Sequence, residues 1–203
     1  MQQPQTRIQR KNHALILEAA LDVFAREGFR GATVDQIAKT AGMSKPNVLY
    51  YFPTKEAMHE ALLTQLLETW LDPLVAMDAG GDPVEEVLAY VRRKLEMARQ
   101  HPRESRLFAG EILRGAPHML GALKGDLRTL VDDKAAVIDG WIAAGKLAPV
   151  SAHHLMFSVW ALTQHYADFD VQVQAVLGGP DWAGAEAHLS DLFTRMITPA
   201  SNS

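Results

Sequence analysis

Residues 31–57 read GATVDQIAKTAGMSKPNVLYYFPTKEA, and this stretch decides the reading of the chain. Thr33 and Gln36 stand three apart, the spacing of a capping box in which hydroxyl and amide satisfy each other's backbone donors at a helix start. Val34, Ile37, Ala38 and Ala41 then share one apolar face, and the spacing predicts a short helix to about Thr40. Gly42 supplies a backbone that can turn sharply. Ser44 is placed to cap a third helix through Tyr50, with Pro46 in the first turn, where proline is tolerated. Two short helices joined by a tight turn, the second anchored by Val48 and Leu49, describe a helix-turn-helix. Small Ala38 lets the two helices approach closely. The residues left on the outer surface include Lys45, Pro46, Asn47, Tyr50 and Tyr51. Lysine, asparagine and tyrosine suit hydrogen bonds to phosphates or base edges.

Working outward, helical periodicity dominates and no alternating apolar pattern marks a strand. A first helix is predicted from about Gln9 to Glu27, with Leu17, Ala20, Leu21 and Phe24 on one face and Gly28 as its stop. Thr54 opens a longer helix from Lys55 to about Met77. Asp82-Pro83 begins another, from Val84 to His101, cut by Pro102. Further helices are expected over Glu104–Leu113, His118–Ala144, Ser151–Leu177 and Trp182–Ile197. The fold class is therefore all-α: a three-helix helix-turn-helix domain over residues 1–54, then a larger helical-bundle domain over residues 55–203.

Charge follows the same division. Residues 1–60 carry eight basic and six acidic side chains, while the remainder carries 12 against 18, so contacts to phosphate belong in the first part. There is no cysteine, which excludes disulfides, thiolate metal sites and cysteine nucleophiles and accords with a reducing cytoplasm. The polar N-terminus does not read as a signal peptide, and no apolar run approaches the roughly 18 residues of a membrane span. A cytoplasmic protein with no membrane partner is expected.

The quoted stretch closely resembles the DNA-binding segment of the TetR family of repressors, over about the first 60 residues in order. That resemblance implies that Thr33, Tyr50, Tyr51 and Lys55 hold the phosphate backbone of double-stranded operator DNA, while Lys45, Pro46 and Asn47 form the base-facing turn. It also implies a homodimer, since two recognition helices must reach successive major grooves. Leu155, Val159, Leu162, Leu189, Leu192 and Phe193 are read as the apolar side of the dimerisation helices.

In the second domain an apolar interior holds a few isolated polar groups, the usual composition of a small-ligand cavity. Trp70, Phe108, Glu111, Trp160 and Gln164 are the effector-site candidates. Trp160 and Gln164 lie four apart on one helix face, where an indole could stack on a flat heterocycle and a primary amide could pair with a lactam edge. Tryptophan and glutamine so placed also make an ordinary core with a satisfied polar contact. The segments around Trp70, Ser105–Phe108, Gly140, Gly145–Pro149 and Trp160–Phe169 resemble the pyrimidine-utilisation branch of the TetR family. The resemblance implies uracil or thymine as effector, bound in the C-terminal domain; another effector is the alternative.

An enzyme reads poorly. His59-Glu60 lacks the second histidine of the zinc-protease pattern, and no nucleophile elbow or phosphate-binding glycine loop occurs. Adjacent His153 and His154 point in different directions on a helix. No catalytic residue, resident metal or cofactor is expected. A helical interaction module without DNA binding leaves the gathering of DNA-type side chains unexplained.

Overall fold

Every regular element among the described residues, 6–200 of this computed structural model, is helical. Residues 1–5 of the polar N-terminus and residues 201–203 lie outside them. The chain packs as two compact units. One comprises the chain to Glu68 together with Arg106–Met119; the other comprises Thr69–Ser105 and the chain from Leu120 onward.

The first unit begins with α1 (Arg7–Gly31), started two residues before the sequence expectation because Thr6 and Gln9 form a capping box of their own. Its regular part stops where predicted, since Gly28 takes φ 67° and ψ 167°. Next, α2 (Val34–Ala41) starts on the Thr33–Gln36 capping box. Gly42 turns in the left-handed region at φ 66°, and α3 (Lys45–Tyr51) is capped by Ser44. Ile37, Ala38 and Val48 are buried with Ile16, Ala20, Val23 and Phe24 of α1. Burying each large aliphatic or aromatic side chain there stabilises by ~1.5–3 kcal/mol, which holds α2 and α3, each too short to persist alone. α4 (Lys55–Val75) starts with Thr54 accepting from the Ala57 N–H, as expected.

In the second unit the central element is α5 (Pro83–Gln100), capped by Asp82. Its buried positions Val87, Tyr90, Val91, Lys94, Leu95 and Ala98 form one stripe at helical spacing. That stripe packs against α9 (Ala152–Asp168) and α11 (Trp182–Ile197). Ile138 and Trp141 of α8 (Arg128–Ala143) complete the core with Met156, Leu189 and Phe193.

Three expectations are corrected. The helix predicted over His118–Ala144 begins later: after α6 (Pro102–Leu113), Gly115 and Ala116 take positive φ, and one turn, α7 (Leu120–Ala122), leads through a π-helical segment at Leu123–Leu127 into α8. The single helix predicted over Ser151–Leu177 is broken at Phe169, which leaves helical geometry. Asp170 accepts from the Val171 N–H there and starts α10 (Asp170–Leu177). Finally, Leu155, Val159, Leu189 and Phe193 are at most 4% exposed within the single chain, so they cannot form an outward dimer face. They face the α5 stripe, and of the six residues named only Leu162 and Leu192 remain partly exposed. Periodicity identified the buried side of each helix; it could not say that the covering partner is α5 rather than a second copy.

Candidate DNA reader and effector site

All seven DNA-facing candidates lie in the first unit. Thr33, Lys45, Pro46, Asn47 and Tyr50 are exposed, and Tyr50 presents 72% of its surface to solvent. Two cap residues therefore set the reader's geometry, because Thr33 and Ser44 hold the first turns of α2 and α3 while Gly42 sets the bend between them. Lys45 forms an exposed ion pair with Asp35 at 2.9 Å, an interaction in high dielectric that phosphate can readily displace. Tyr50 and Tyr51 meet edge to face at 5.3 Å, and the Tyr51 hydroxyl accepts from the Asn12 amide at 2.9 Å. Asn12 is a positioning residue that the sequence did not single out, being 39 positions away.

Lys55 is differently employed. Its half-buried ammonium donates to the carbonyls of Phe29 at 2.8 Å and Ala32 at 3.0 Å, and lies 4.6 Å from the centre of the Phe29 ring. It thus satisfies carbonyls left open where α1 ends at Gly28 and ties the start of α4 to the turn before α2. One of its three N–H donors remains for another partner.

Beneath this, His59 of α4 is fully buried between the rings of Phe24 at 5.1 Å and Phe29 at 4.6 Å. Desolvation outweighs the attraction of Glu111 and lowers its pKa to about 4, with His118, Arg114 and Lys55 also disfavouring a proton. Its ring is therefore neutral at pH 7. Glu111, fully buried on α6, accepts from the His118 backbone N–H at 2.8 Å and from Arg114 at 3.3 Å. Burial alone would raise its carboxyl pKa, but these donors and the charge of His118 prevail and lower it.

The five effector candidates divide between the units. Phe108, partly buried, and Glu111 belong to the first; Trp70, Trp160 and Gln164 belong to the second. Within the second, α5 brings both tryptophans to one face. Trp160 donates its indole N–H to the Tyr90 hydroxyl at 2.6 Å, and Lys94, one turn along, lies 5.4 Å from the centre of the Trp70 ring and donates to the Trp70 carbonyl at 3.5 Å. Gln164 is partly exposed one turn beyond Trp160, and its amide has no hydrogen-bond partner among the described residues.

Tyr90 and Lys94 were missed in the sequence, although a lysine inside the Val87–Ala98 apolar stripe was a readable signal. Burial drives the Lys94 pKa down to about 7, and burial likewise raises the Tyr90 pKa against the opposing Trp160 hydrogen bond. Near the end of α9, buried Ser105 donates to Asp168 at 2.6 Å. A separate cleft of about 670 Å³ lies between α4 and α5, lined by Asp72, Arg92, Arg93, Glu96 and His101 among others. None of the five candidates lines it.

Comparison with known proteins gives this geometry its context. Residues 16–62 match the family described as bacterial regulatory proteins, tetR family, and residues 63–199 match the YcdC-like protein, C-terminal region. The chain is 52% identical over 163 residues to the HTH-type transcriptional regulator RutR of Escherichia coli K12, covering 80% of this chain and 77% of that one. A crystal structure of a tetR-family regulatory protein from Rhodococcus RHA1 superposes with a TM-score of 0.76 at 22% identity, covering 94% and 99% of the two chains, and supports the fold alone. A transcriptional regulator from Rhodococcus sp. Rha1 gives 0.67 at 25% identity, covering 91% and 95%. With a capped helix-turn-helix at its N-terminus and both family regions matched in order, the chain is a DNA-binding transcriptional regulator, not an enzyme, and belongs to the TetR family.

Proposed function

We propose that this regulator represses transcription in the cytoplasm as a homodimer on operator DNA and is released by a small planar heterocycle, uracil or thymine. The observation carrying the effector assignment is the pair on α9. Trp160 is held by Tyr90 through its indole N–H, its ring 5.4 Å from that of Phe157, and Gln164 offers both a donor and an acceptor one turn away. A lactam edge carries the complementary pair. Trp70 and Lys94 supply a second aromatic group and a polar group on the neighbouring turn of α5.

For the DNA, Thr33, Tyr50, Tyr51 and Lys55 are assigned to phosphates, and Lys45, Pro46 and Asn47 to the base-facing turn. Residues 1–54 serve as the reader and residues 55–203 as the effector and dimer domain. The half-exposed Leu162 and Leu192 belong to the dimer surface of α9 and α11. The helix α4 carries the chain from one unit into the other. Release follows only if the effector binds the DNA-free state more tightly than the DNA-bound one; equal affinity would shift nothing.

The test is calorimetric titration of the purified protein with uracil, thymine and, as control, cytosine, with Gln164→Ala in parallel. Saturable uracil or thymine heat that Gln164→Ala weakens at least tenfold is the expected result. Absence of binding heat at several temperatures, with no thermal shift, rejects the pyrimidine assignment. The second reading, a different small-molecule effector to be found by screening, then takes its place.

A further inference from the structure

We propose that His59, Glu111 and His118 form a binding site for a divalent metal ion of the zinc type. All three residues lie in the first unit, and each offers one ligand atom, the three atoms lying within 4.8 Å of one another. Two imidazoles and one carboxylate are a donor set that zinc accepts, leaving a fourth position for water.

His59 is the strongest indication. It is 0% exposed, and both of its ring nitrogens lack a hydrogen-bond partner. A neutral imidazole can donate through one nitrogen and accept through the other, so two unmet polar atoms in an apolar slot are costly and demand an explanation. A metal ion would take up the lone pair of one of these nitrogens. The His59 and His118 rings lie 5.1 Å apart at 77°, and Phe29 borders both, at 4.6 Å and 5.2 Å. This apolar wall limits competing water.

The carboxylate is already oriented. Glu111 is held by the His118 backbone N–H and by Arg114, the kind of support that orients a metal ligand. The His118 Nδ1 lies 3.2 Å from Glu111 Oε1, close to the ~3.4 Å separating donors around a tetrahedral ion with bonds of ~2.0–2.1 Å. On that geometry the widest pair would close by at most about 1.4 Å. His118 sits on the loop after α6 and is the one ligand partly open to solvent. Just before it, buried Ala116 holds a positive φ of 54° and returns its N–H to the Glu111 carbonyl at 3.0 Å. A non-glycine residue resists that conformation, so the loop is constrained into the turn that delivers His118 to Glu111. The ion would clasp α4 to the α6–α7 loop inside the unit that carries the DNA reader.

The experiment uses the full chain, stripped with EDTA and dialysed. Zn²⁺ titration is expected to show one ion per chain and a raised thermal midpoint, and Co²⁺ substitution is expected to give the visible bands of four-coordinate cobalt. His118→Ala should weaken binding by ~100-fold or more. His59→Phe fills the same apolar slot, should stay folded by circular dichroism, and should abolish the cobalt bands. His153→Ala controls for the surface pair of His153 and Asp132, 2.9 Å apart, and should change nothing. No saturable binding to the wild type overturns the proposal. So does one-to-one binding that survives both His59→Phe and His118→Ala, or that is lost in His153→Ala instead.

Discussion

At the scale of single residues, two lysines show how burial redirects a charge. Lys55 holds two carbonyls of the α1–α2 turn, so its ammonium is part of the reader's scaffold. Among the described residues Lys94 has no carboxylate partner; it meets the Trp70 carbonyl and ring, and burial brings its folded pKa down to about 7 from 10.5. The sign follows from linkage. Between pH 7 and 10.5 the unfolded chain keeps a proton that the folded chain has lost, so stability rises with pH through that window, and the burial penalty is fully present below it. Raising the pH from 7 to 9 should stabilise the fold by about 2 kcal/mol through this group. In Lys94→Met that increment should vanish, and the variant should be the more stable at pH 7. Urea unfolding at both pH values checks this, at pH values below the range where Tyr90 would ionise.

At the scale of elements, capping decides the reader. The reciprocal bonds between Thr33 and Gln36 satisfy donors at the start of α2, an eight-residue helix too short to persist alone. Thr33→Ala should lower unfolding free energy by ~1 kcal/mol, and Thr33→Ser should restore most of it. If Thr33 also touches phosphate, as proposed, Thr33→Ala should weaken operator binding even under conditions where it remains fully folded. Denaturant melts and a DNA-binding titration separate the two effects. Among the elements misjudged, Phe169 is instructive: apolar periodicity continues through Val171 and Val173, so nothing in the pattern breaks the helix. The break arises where Asp170 turns its side chain onto the next backbone N–H.

At the scale of the whole molecule, the chain has net charge −4, yet its first 60 residues carry eight basic against six acidic side chains, and the excess of acid lies in the remainder. Binding to an operator fragment should therefore depend steeply on salt. A dimer neutralising roughly six phosphates should lose about a thousandfold in affinity between about 50 and 200 mM salt. Lys45→Ala should weaken binding with less effect on stability, since the Asp35 partner it leaves is exposed. Fluorescence anisotropy over a salt series measures both, and a salt-independent affinity would remove phosphate contact as the source of binding.

The sequence alone determined the all-helical class, the capped helix-turn-helix with Gly42 at its bend, and the stop at Gly28, because each depends on residues within one or two turns of each other. The exposure of Lys45, Pro46, Asn47 and Tyr50 was legible for the same reason. What only the tertiary structure decided are the relations between distant positions. Leu155, Val159, Leu189 and Phe193 read equally well as a dimer face or a core, and the packing of α5 makes them core. Tyr90 reaches Trp160 across 70 positions, and His59 meets Glu111 and His118 from separate helices and loops. Helical periodicity specifies which side of a helix is buried, whereas the identity of the neighbour that buries it is settled when all the helices pack at once.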